Sequence, residues 1–263
     1  MMRLFLNAIG LRGPGLEGWA ASVPVLAGHT PYQSAATTVP PPALLPANER
    51  RRAPQIVKLA LCVGAEAFAS CGLAPADCPS VFTSSGGDGE TIHNILATLA
   101  GPARELSPTR FHNSVHNVAA GYWSIATGAK TPATSLCAHD GSFAAGLLEA
   151  GAQALATGGN VALIAYDLPY PAPLDTVRPI GAPFAVALLL SPAQTPQSLA
   201  KLEIDLTAPP PSPCAAPELE ALRQTIPAAR ALPLLEAVAK GGTSGFTLDY
   251  LDDLALTIQL TTL

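Results

Sequence analysis

The feature that most constrains the fold of this chain is an alanine-rich segment, residues 141–156, that lies between two short apolar segments. It carries few polar side chains, which is typical of a helix buried inside a protein. Residues 133–138 before it and 161–166 after it predict strands, and Gly158 and Gly159 separate the helix from the second strand. Strands that alternate with helices predict a layered α/β protein.

The rest of the chain continues this alternation. Residues 54–70 carry apolar side chains on one helical face, with Pro54 in the first turn and Gly72 as the stop, and predict a long helix. The glycine cluster at residues 86–89 lacks the spacing and the lysine of a phosphate-binding loop, so it predicts a plain turn. Further strands are predicted at residues 4–9, 80–84, 184–190 and about 254–260, and further helices at 15–28, 90–99, 117–127, 218–223 and 233–240.

The charge balance excludes two classes of partner. Only 13% of the 263 residues are charged and the formal net charge is -5, so the chain has no basic field to attract nucleic acid or anionic lipid. No apolar segment approaches the ~20 residues of a membrane helix. The N-terminus also lacks the apolar run of a secretion signal, and we therefore expect a cytoplasmic protein.

The cysteines and histidines indicate neither a disulfide framework nor a metal centre. The five cysteines are odd in number and match no zinc spacing, so we expect reduced, mostly buried thiols and no cofactor. His112 and His116 are four residues apart. That spacing would suit a metal only if both residues lay on one helix and a third ligand joined them, and we expect no metal site.

Residues 107–151, SPTRFHNSVHNVAAGYWSIATGAKTPATSLCAHDGSFAAGLLEAG, hold Ser107, Asn117, Gly128 and Pro132 at a characteristic spacing. In order and spacing this region resembles the one around the active site of β-ketoacyl synthases. The resemblance spans roughly residues 4–191 and implies one half of a thiolase-like α/β fold, with α/β/α layers around a mixed central sheet. Residues 1–192 would form this synthase-like domain, and residues 193–263 a short C-terminal extension packed on it.

The same resemblance places Asp140 where the family has its nucleophilic cysteine. Counting forward from Asn117 and back from residues 148–150 leads to the same position. An aspartate cannot accept an acyl chain as a cysteine thiolate does, but it is a good N-cap for the helix that follows. The family's second half supplies two catalytic histidines, and this sequence has no histidine after His139. The resemblance therefore implies a subunit without catalysis of its own.

An independent acyltransferase or thiolase-like enzyme is the alternative. Cys137 would be its nucleophile, with His139, His112 or His116 as the base. Cys137 and His139 would share one side of the predicted strand, because side chains alternate along a strand. Same-side neighbours are, however, ~7 Å apart at Cα. A buried structural role for Cys137 is therefore the main expectation.

The segments FHNSVHN and AHDGSFAAG resemble those of truncated β-ketoacyl synthase chain-length factors from bacterial aryl polyene clusters. This resemblance implies a heterodimer with a full-length β-ketoacyl synthase, supplied by an acyl carrier protein, in which this chain shapes the partner's acyl tunnel. The strand at residues 131–138 would pair with its counterpart across the interface. The residues implied at the interface or tunnel are Thr109, Arg110, Phe111, His112, Asn113, His116, Thr134 and Leu136.

The only charge run of the chain is Arg50, Arg51 and Arg52. Three arginines at the start of a helix would oppose the helix dipole, so we expect a reason for them other than helix stability. They form either a solvated surface or a docking site for an acidic carrier protein.

Overall fold

A mixed sheet of eight strands forms the centre of the molecule. The computed structural model describes residues 1–102, 104–208 and 210–263. The strands are β1 (Met2–Arg12), β2 (Ser80–Thr83), β3 (Ala133–Leu136), β4 (Val161–Asp167), β5 (Phe184–Ser191), β6 (Ala200–Thr207), β7 (Thr243–Asp249) and β8 (Ala255–Thr262). Across the sheet their order is β3-β2-β4-β5-β1-β6-β8-β7. β2 is parallel to β3 and to β4, and the other neighbouring pairs are antiparallel.

Helices cover both faces of this sheet. They are α1 (Trp19–Leu26), α2 (Ala47–Arg52), α3 (Gln55–Cys71), α4 (Gly89–Ala100), α5 (Pro108–Asn113), α6 (Val118–Thr127), α7 (Ser142–Thr157), α8 (Pro217–Thr225) and α9 (Leu232–Lys240). One core lies between the sheet and α3 with α6, and the other lies between the sheet and α7 with α1 and α9. The predicted α/β/α layers around a mixed sheet, with the thiolase-like half-fold, are confirmed.

The alanine-rich helix α7 is buried because its small residues allow it to approach the sheet closely. A Cβ atom at Gly146 would lie 2.7 Å from Leu163 of β4 and 2.8 Å from Thr83 of β2, so only glycine fits there. The Thr83 hydroxyl also donates to the Ser142 carbonyl oxygen at 2.8 Å. These contacts place the start of α7 at the carboxyl end of β2 and β3.

The C-terminal part of the chain continues the central sheet. β6 pairs with β1, and β8 and β7 follow outward from it. β8 corresponds to the strand predicted near residues 254–260, whereas β6 and β7 were not predicted. β6 is a half-buried strand whose alternate residues Ala200, Leu202 and Ile204 are buried.

The arginine run lies at a different place in its helix than the sequence suggested. Arg50, Arg51 and Arg52 form the last turn of α2, and α3 starts only after Pro54. Positive charges at a helix C-terminus stabilise it, so the expected conflict with the helix dipole does not arise. Over the residues described, no helix combines the length and the apolar character needed to cross a membrane.

Candidate functional site

Asp140, the residue predicted to stand at the nucleophile position, lies in a tight turn between β3 and α7. After β3 ends at Leu136, a 3₁₀ turn spans His139–Gly141 and α7 starts at Ser142. His139 has a φ of 49°, a left-handed conformation that costs free energy for a residue other than glycine. The Ser142 hydroxyl supports the turn, because it accepts from the Ala138 N–H at 3.0 Å and donates to the His139 carbonyl at 2.7 Å.

Asp140 does not cap α7, contrary to the expectation from its position. The N-cap residue is Gly141, and no side chain caps the helix there. One Asp140 carboxylate oxygen instead accepts from Arg178 at 2.5 Å, and the other lies 3.3 Å from an Arg230 guanidinium nitrogen. Both carboxylate oxygens are thus taken up by guanidinium groups through charge-assisted contacts, and the helix starts only after Gly141.

The ion pairs of Asp140 continue into the C-terminal part of the chain. Arg230 lies 3.9 Å from Asp249 at the end of β7, and Asp249 also pairs with Arg223 of α8. Arg223 in turn pairs with Glu220 at 2.6 Å. Acidic and basic groups therefore alternate from Glu220 to Arg178, and this chain of charges joins the turn before α7 to α8 and β7.

The electrostatics of this network favour ionised carboxylates. Partial burial on its own raises the pKa of the Asp140 carboxyl, but the hydrogen bond from Arg178 and the charges of Arg230 and Arg178 outweigh it, so its pKa lies below the ordinary value. The hydrogen bond from Arg223 lowers the pKa of Glu220 to about 2. A carboxylate of low basicity with both oxygens bound by arginines is a poor nucleophile and a poor base.

Cys137, the alternative nucleophile, is exposed, which corrects the expectation of a buried structural residue. It lies just beyond the end of β3, so the strand alternation used to place it beside His139 does not apply. Its thiol donates to the Ser85 carbonyl oxygen at 3.0 Å. His139 is 70% exposed, and its Nδ1 atom lies 3.7 Å from Asp140. Among the described residues, no hydrogen bond joins Cys137 to His139.

A buried carboxylate holds the loop that follows β2. Asp167, at the end of β4, accepts hydrogen bonds from the Ser85 N–H and hydroxyl at 2.8 Å each, from the Ser84 hydroxyl and from the Ala228 N–H. Complete burial raises its pKa to about 6 in spite of these donors.

The glycine cluster after Ser85 is a turn, as predicted, and its Asp88 accepts from the Thr91 N–H as the N-cap of α4.

The stretch expected at a partner interface is only partly exposed. Thr109, Arg110, Phe111 and His112 are exposed on α5. Asn113 is buried, because its amide donates to the Arg52 carbonyl oxygen at 3.0 Å and accepts from the Tyr122 hydroxyl. Asn113 therefore stabilises its own chain, and its predicted place at the tunnel stays a prediction.

The two histidines of this stretch do not share a helix. His112 is on α5 and its ring packs edge-on against Tyr122, whereas His116 lies in the turn after α5. The Nε2 atom of His116 lies 3.4 Å from the Ser84 carbonyl oxygen. The i, i+4 geometry that a metal pair would need is therefore not formed.

β3 is the edge strand of the sheet on the side of the site. Thr134 and Leu136 lie on it and are half buried. The Thr134 hydroxyl accepts from Gln153 of α7 at 2.9 Å, and Leu136 packs against the core beneath α7. Their side chains thus contact their own chain, while one edge of the β3 backbone carries no strand of this sheet.

The arginines considered for carrier docking differ in their surroundings. Arg50 donates to the Leu45 carbonyl oxygen at 2.8 Å, Arg51 to the Asn48 side chain at 2.5 Å, and Arg52 lies 3.7 Å from Glu49. The Arg50 side chain therefore binds the turn before α2. Arg51 and Arg52 are exposed, and only these two can present charge to a partner.

Two cavities border the turn at Asp140. A cavity of about 780 Å³ separates it from the loop between β7 and β8, which contributes Tyr250, Asp252 and Asp253. A second cavity of about 340 Å³ is lined by His139, Arg178 and several apolar side chains. The sequence did not point to Arg178, Arg230 or Asp249, because nothing local to these residues shows that they meet Asp140.

The comparisons with known proteins agree with this architecture. The family described as beta-ketoacyl synthase, N-terminal domain, matches residues 26–239. The comparison with curated proteins finds no match. The chain is similar to a structure described as a ketosynthase (ApeO) in complex with its chain length factor (ApeC) from Xenorhabdus doucetiae, with 22% identity and a TM-score of 0.74 over 99% of this chain and 100% of that one.

Two further solved structures share the fold at lower identity. One is described as a beta-ketoacyl synthase from Burkholderia phymatum STM815, with 11% identity and a TM-score of 0.68 over 100% of both chains. The other is described as the ishigamide ketosynthase/chain length factor, with 11% identity and a TM-score of 0.66 over 100% of this chain and 99% of that one. Such low identities establish a shared fold alone. The family match extends over most of the sequence, and the chain therefore belongs to the β-ketoacyl synthase N-terminal domain family.

Proposed function

We propose that this chain is a chain-length factor, a subunit without its own nucleophile that pairs with a complete β-ketoacyl synthase of aryl polyene biosynthesis and shapes its acyl tunnel. The observation that carries this proposal is Asp140. At the position of the family's nucleophile stands a carboxylate whose two oxygens are bound by Arg178 and Arg230. Such a group cannot form the thioester on which the family's chemistry depends.

The C-terminal part of the chain supports the same proposal. Residues 192–263 contain no histidine, so they offer no counterpart to the two histidines of a complete synthase. They contribute Arg230, Asp249 and Arg223 to the ion pairs around Asp140 instead. These residues stabilise a turn from which the nucleophile is missing.

The surface around β3 supports a partner. In the described part of the chain no strand pairs with the outer edge of β3, and such an open edge favours association with another strand. α4 has no buried residue, and Ile92, Leu96 and Leu99 on it are exposed, as is Phe111 on α5. Clustered exposed apolar side chains and an open strand edge are each typical of an interface. The exposed face of α5 would then meet the partner's tunnel, and Arg51 and Arg52 would attract an acidic carrier protein.

Co-expression tests the pairing. The chain should co-purify with a candidate β-ketoacyl synthase as a 1:1 complex in size-exclusion chromatography. The interface should exceed the ~1,200–2,000 Å² of a standard protein complex, as obligate pairs do. A stable monomer that binds none of the synthases encoded beside it would refute the proposal.

Acyl transfer by Cys137 is the second candidate, and the exposure of this thiol favours it. Intact mass after incubation of the purified chain with acyl carrier protein thioesters distinguishes the two functions. A chain-length factor should show no acyl adduct, and Asp140→Cys should remain unacylated because the catalytic histidines are missing. A stable adduct that disappears in Cys137→Ser would establish the enzyme instead.

A further inference from the structure

The glycine turn after β2 accommodates the ring of a distant tyrosine. A Cβ atom at Gly86 would lie 1.8 Å from the Tyr170 hydroxyl oxygen, and one at Gly89 would lie 1.9 Å from Cδ1 of the same ring. Neither glycine has a left-handed φ. Both positions therefore require glycine for space rather than for backbone conformation, and that space is filled by Tyr170.

The Tyr170 ring separates two cavities of different character. On one side, the cavity of about 340 Å³ is lined mostly by apolar surface, which includes Ile92, Leu174 and Val177, with His139 and Arg178 at its border with the turn at Asp140. On the other side, a cavity of about 410 Å³ is lined by Glu90, His93 and Asn94 between two prolines. Tyr170 borders both cavities, so its ring lies between the side chains of the first cavity and the Glu90 and His93 side chains of the second.

The apolar cavity suits a hydrocarbon and opens near the proposed interface. Val177 and Ile92 line it and are 80% and 37% exposed, and Ile92 shares α4 with the exposed Leu96. A concave, mostly apolar cavity binds the apolar part of a ligand. A hydrocarbon that passed Tyr170 would meet Glu90 and His93 and remove them from water, which is unfavourable.

We propose that Tyr170 is the end wall of this apolar cavity and a determinant of product length, and that the cavity receives the distal hydrocarbon of the acyl chain bound to the partner. The inference rests on the proposed function. It goes further by naming the residue, outside α5, at which a growing hydrocarbon stops. Gly86 and Gly89 are positioning residues, because they hold the ring in place.

Substitution of Tyr170 in the assembled complex tests the proposal. In Tyr170→Ala the two cavities join, so the main product should lengthen by at least one two-carbon unit. Tyr170→Phe keeps the ring and should give products of the wild-type length. Mass spectrometry of carrier-bound products, with the complex verified by size exclusion, provides the measurement. An unchanged length in Tyr170→Ala, in a complex that still turns over, would overturn the inference and leave the proposed function standing.

A second variant tests the position of the ring independently of turnover. Gly89→Ala places a methyl group against the ring and should lower the unfolding temperature of the chain, whereas the same change in a Tyr170→Ala background should have a much smaller effect. Equal losses in both backgrounds would show that the ring does not lie on Gly89, which contradicts the proposal. If no synthase binds the chain at all, both the inference and the proposed function fail.

Discussion

At the scale of single residues, two aspartates near the turn have opposite electrostatics. Asp140 has two arginine partners and a lowered pKa, while Asp167 is buried among neutral donors and has a raised one. The difference follows from their surroundings, because a positive neighbour favours the charged form and burial opposes it. Each aspartate therefore affects stability in a different pH range.

For Asp140 we expect Asp140→Asn to destabilise the chain by about 0.5–1 kcal/mol, because Arg178 and Arg230 lose a charged partner while water screens a side chain that is 40% exposed. The lowered pKa means that the wild type has this advantage above about pH 4, and that the advantage disappears as the pH falls through the pKa of the folded state. Urea unfolding at several pH values measures the difference in unfolding free energy between the wild type and Asp140→Asn. Asp252→Asn is the control, since Asp252 lines the same cavity and makes no ion pair among the described residues. Equal effects of the two variants would contradict the role of the ion pairs.

For Asp167 the effect of pH on stability has the opposite sign, because its pKa is raised. A folded-state pKa of about 6, above the ordinary 3.8, means that the carboxyl stabilises the chain most at low pH and that this contribution is lost as the pH rises from about 4 to about 6. The difference in unfolding free energy between the wild type and Asp167→Asn should therefore shift by roughly 2–3 kcal/mol across this window. A difference that does not vary with pH would show that Asp167 titrates normally.

At the scale of elements, β3 has two unlike edges. The Pro132 carbonyl accepts from Ser80 of β2, and the Leu136 carbonyl accepts from Ser84 just after β2. Residues 134 and 136 therefore direct their backbone groups towards β2, and residues 133 and 135 direct theirs outward. The proposed partner strand would bond to the outward groups. The inward groups form hydrogen bonds with β2 of the same chain.

This alternation predicts that Ala133→Pro weakens the complex while it leaves the unfolding temperature of the isolated chain within a few degrees. Proline removes an outward N–H and is tolerated at a strand edge. Thr134→Pro removes an inward N–H and should destabilise the isolated chain, and Ala133→Ser keeps the N–H and should bind normally. Titration of the partner synthase, together with thermal unfolding, measures both effects. Normal binding by Ala133→Pro would exclude pairing through β3.

At the scale of the whole molecule, the sheet has a bare edge at β3 and the C-terminal strands β6, β8 and β7 at its other end. The apolar side chains exposed on α4 and α5 lie on helices that contact each other. A partner that covers them also removes an aggregation hazard from the isolated chain. The proposed interface thus combines the edge of β3 with the exposed face of α4 and α5.

A charge in this surface should break the complex selectively. Leu96→Asp should weaken the synthase complex at least tenfold, about 1.4 kcal/mol, because a buried, unpaired carboxylate opposes association. Leu263→Asp is a matched control: Leu263 is 56% exposed, as Leu96 is, and follows β8 at the other end of the sheet. Pull-down with the synthase and light scattering of the isolated variants are the measurements. Equal weakening by both variants would contradict an interface at α4.

The sequence predicted most of the elements but not the contacts of the site. The helices around α3 and α7 followed from apolar spacing and from their flanking glycines and prolines. β6 was missed although its buried residues alternate, because its other half is polar and a short half-buried strand has a weak pattern. Cys137 was expected inside the protein because the predicted strand was two residues too long.

By itself, the sequence determined the layered α/β fold and the family, and it led to the prediction that Asp140 stands at the nucleophile position. These depend on local periodicity and on the spacing of residues along one segment. Only the tertiary structure decided that Asp140 binds Arg178 and Arg230 rather than the start of α7, and that Asn113 is buried while Cys137 is exposed. The reason is physical: ion pairs and burial are set by residues far along the chain, and their meeting depends on how the sheet and its helices pack.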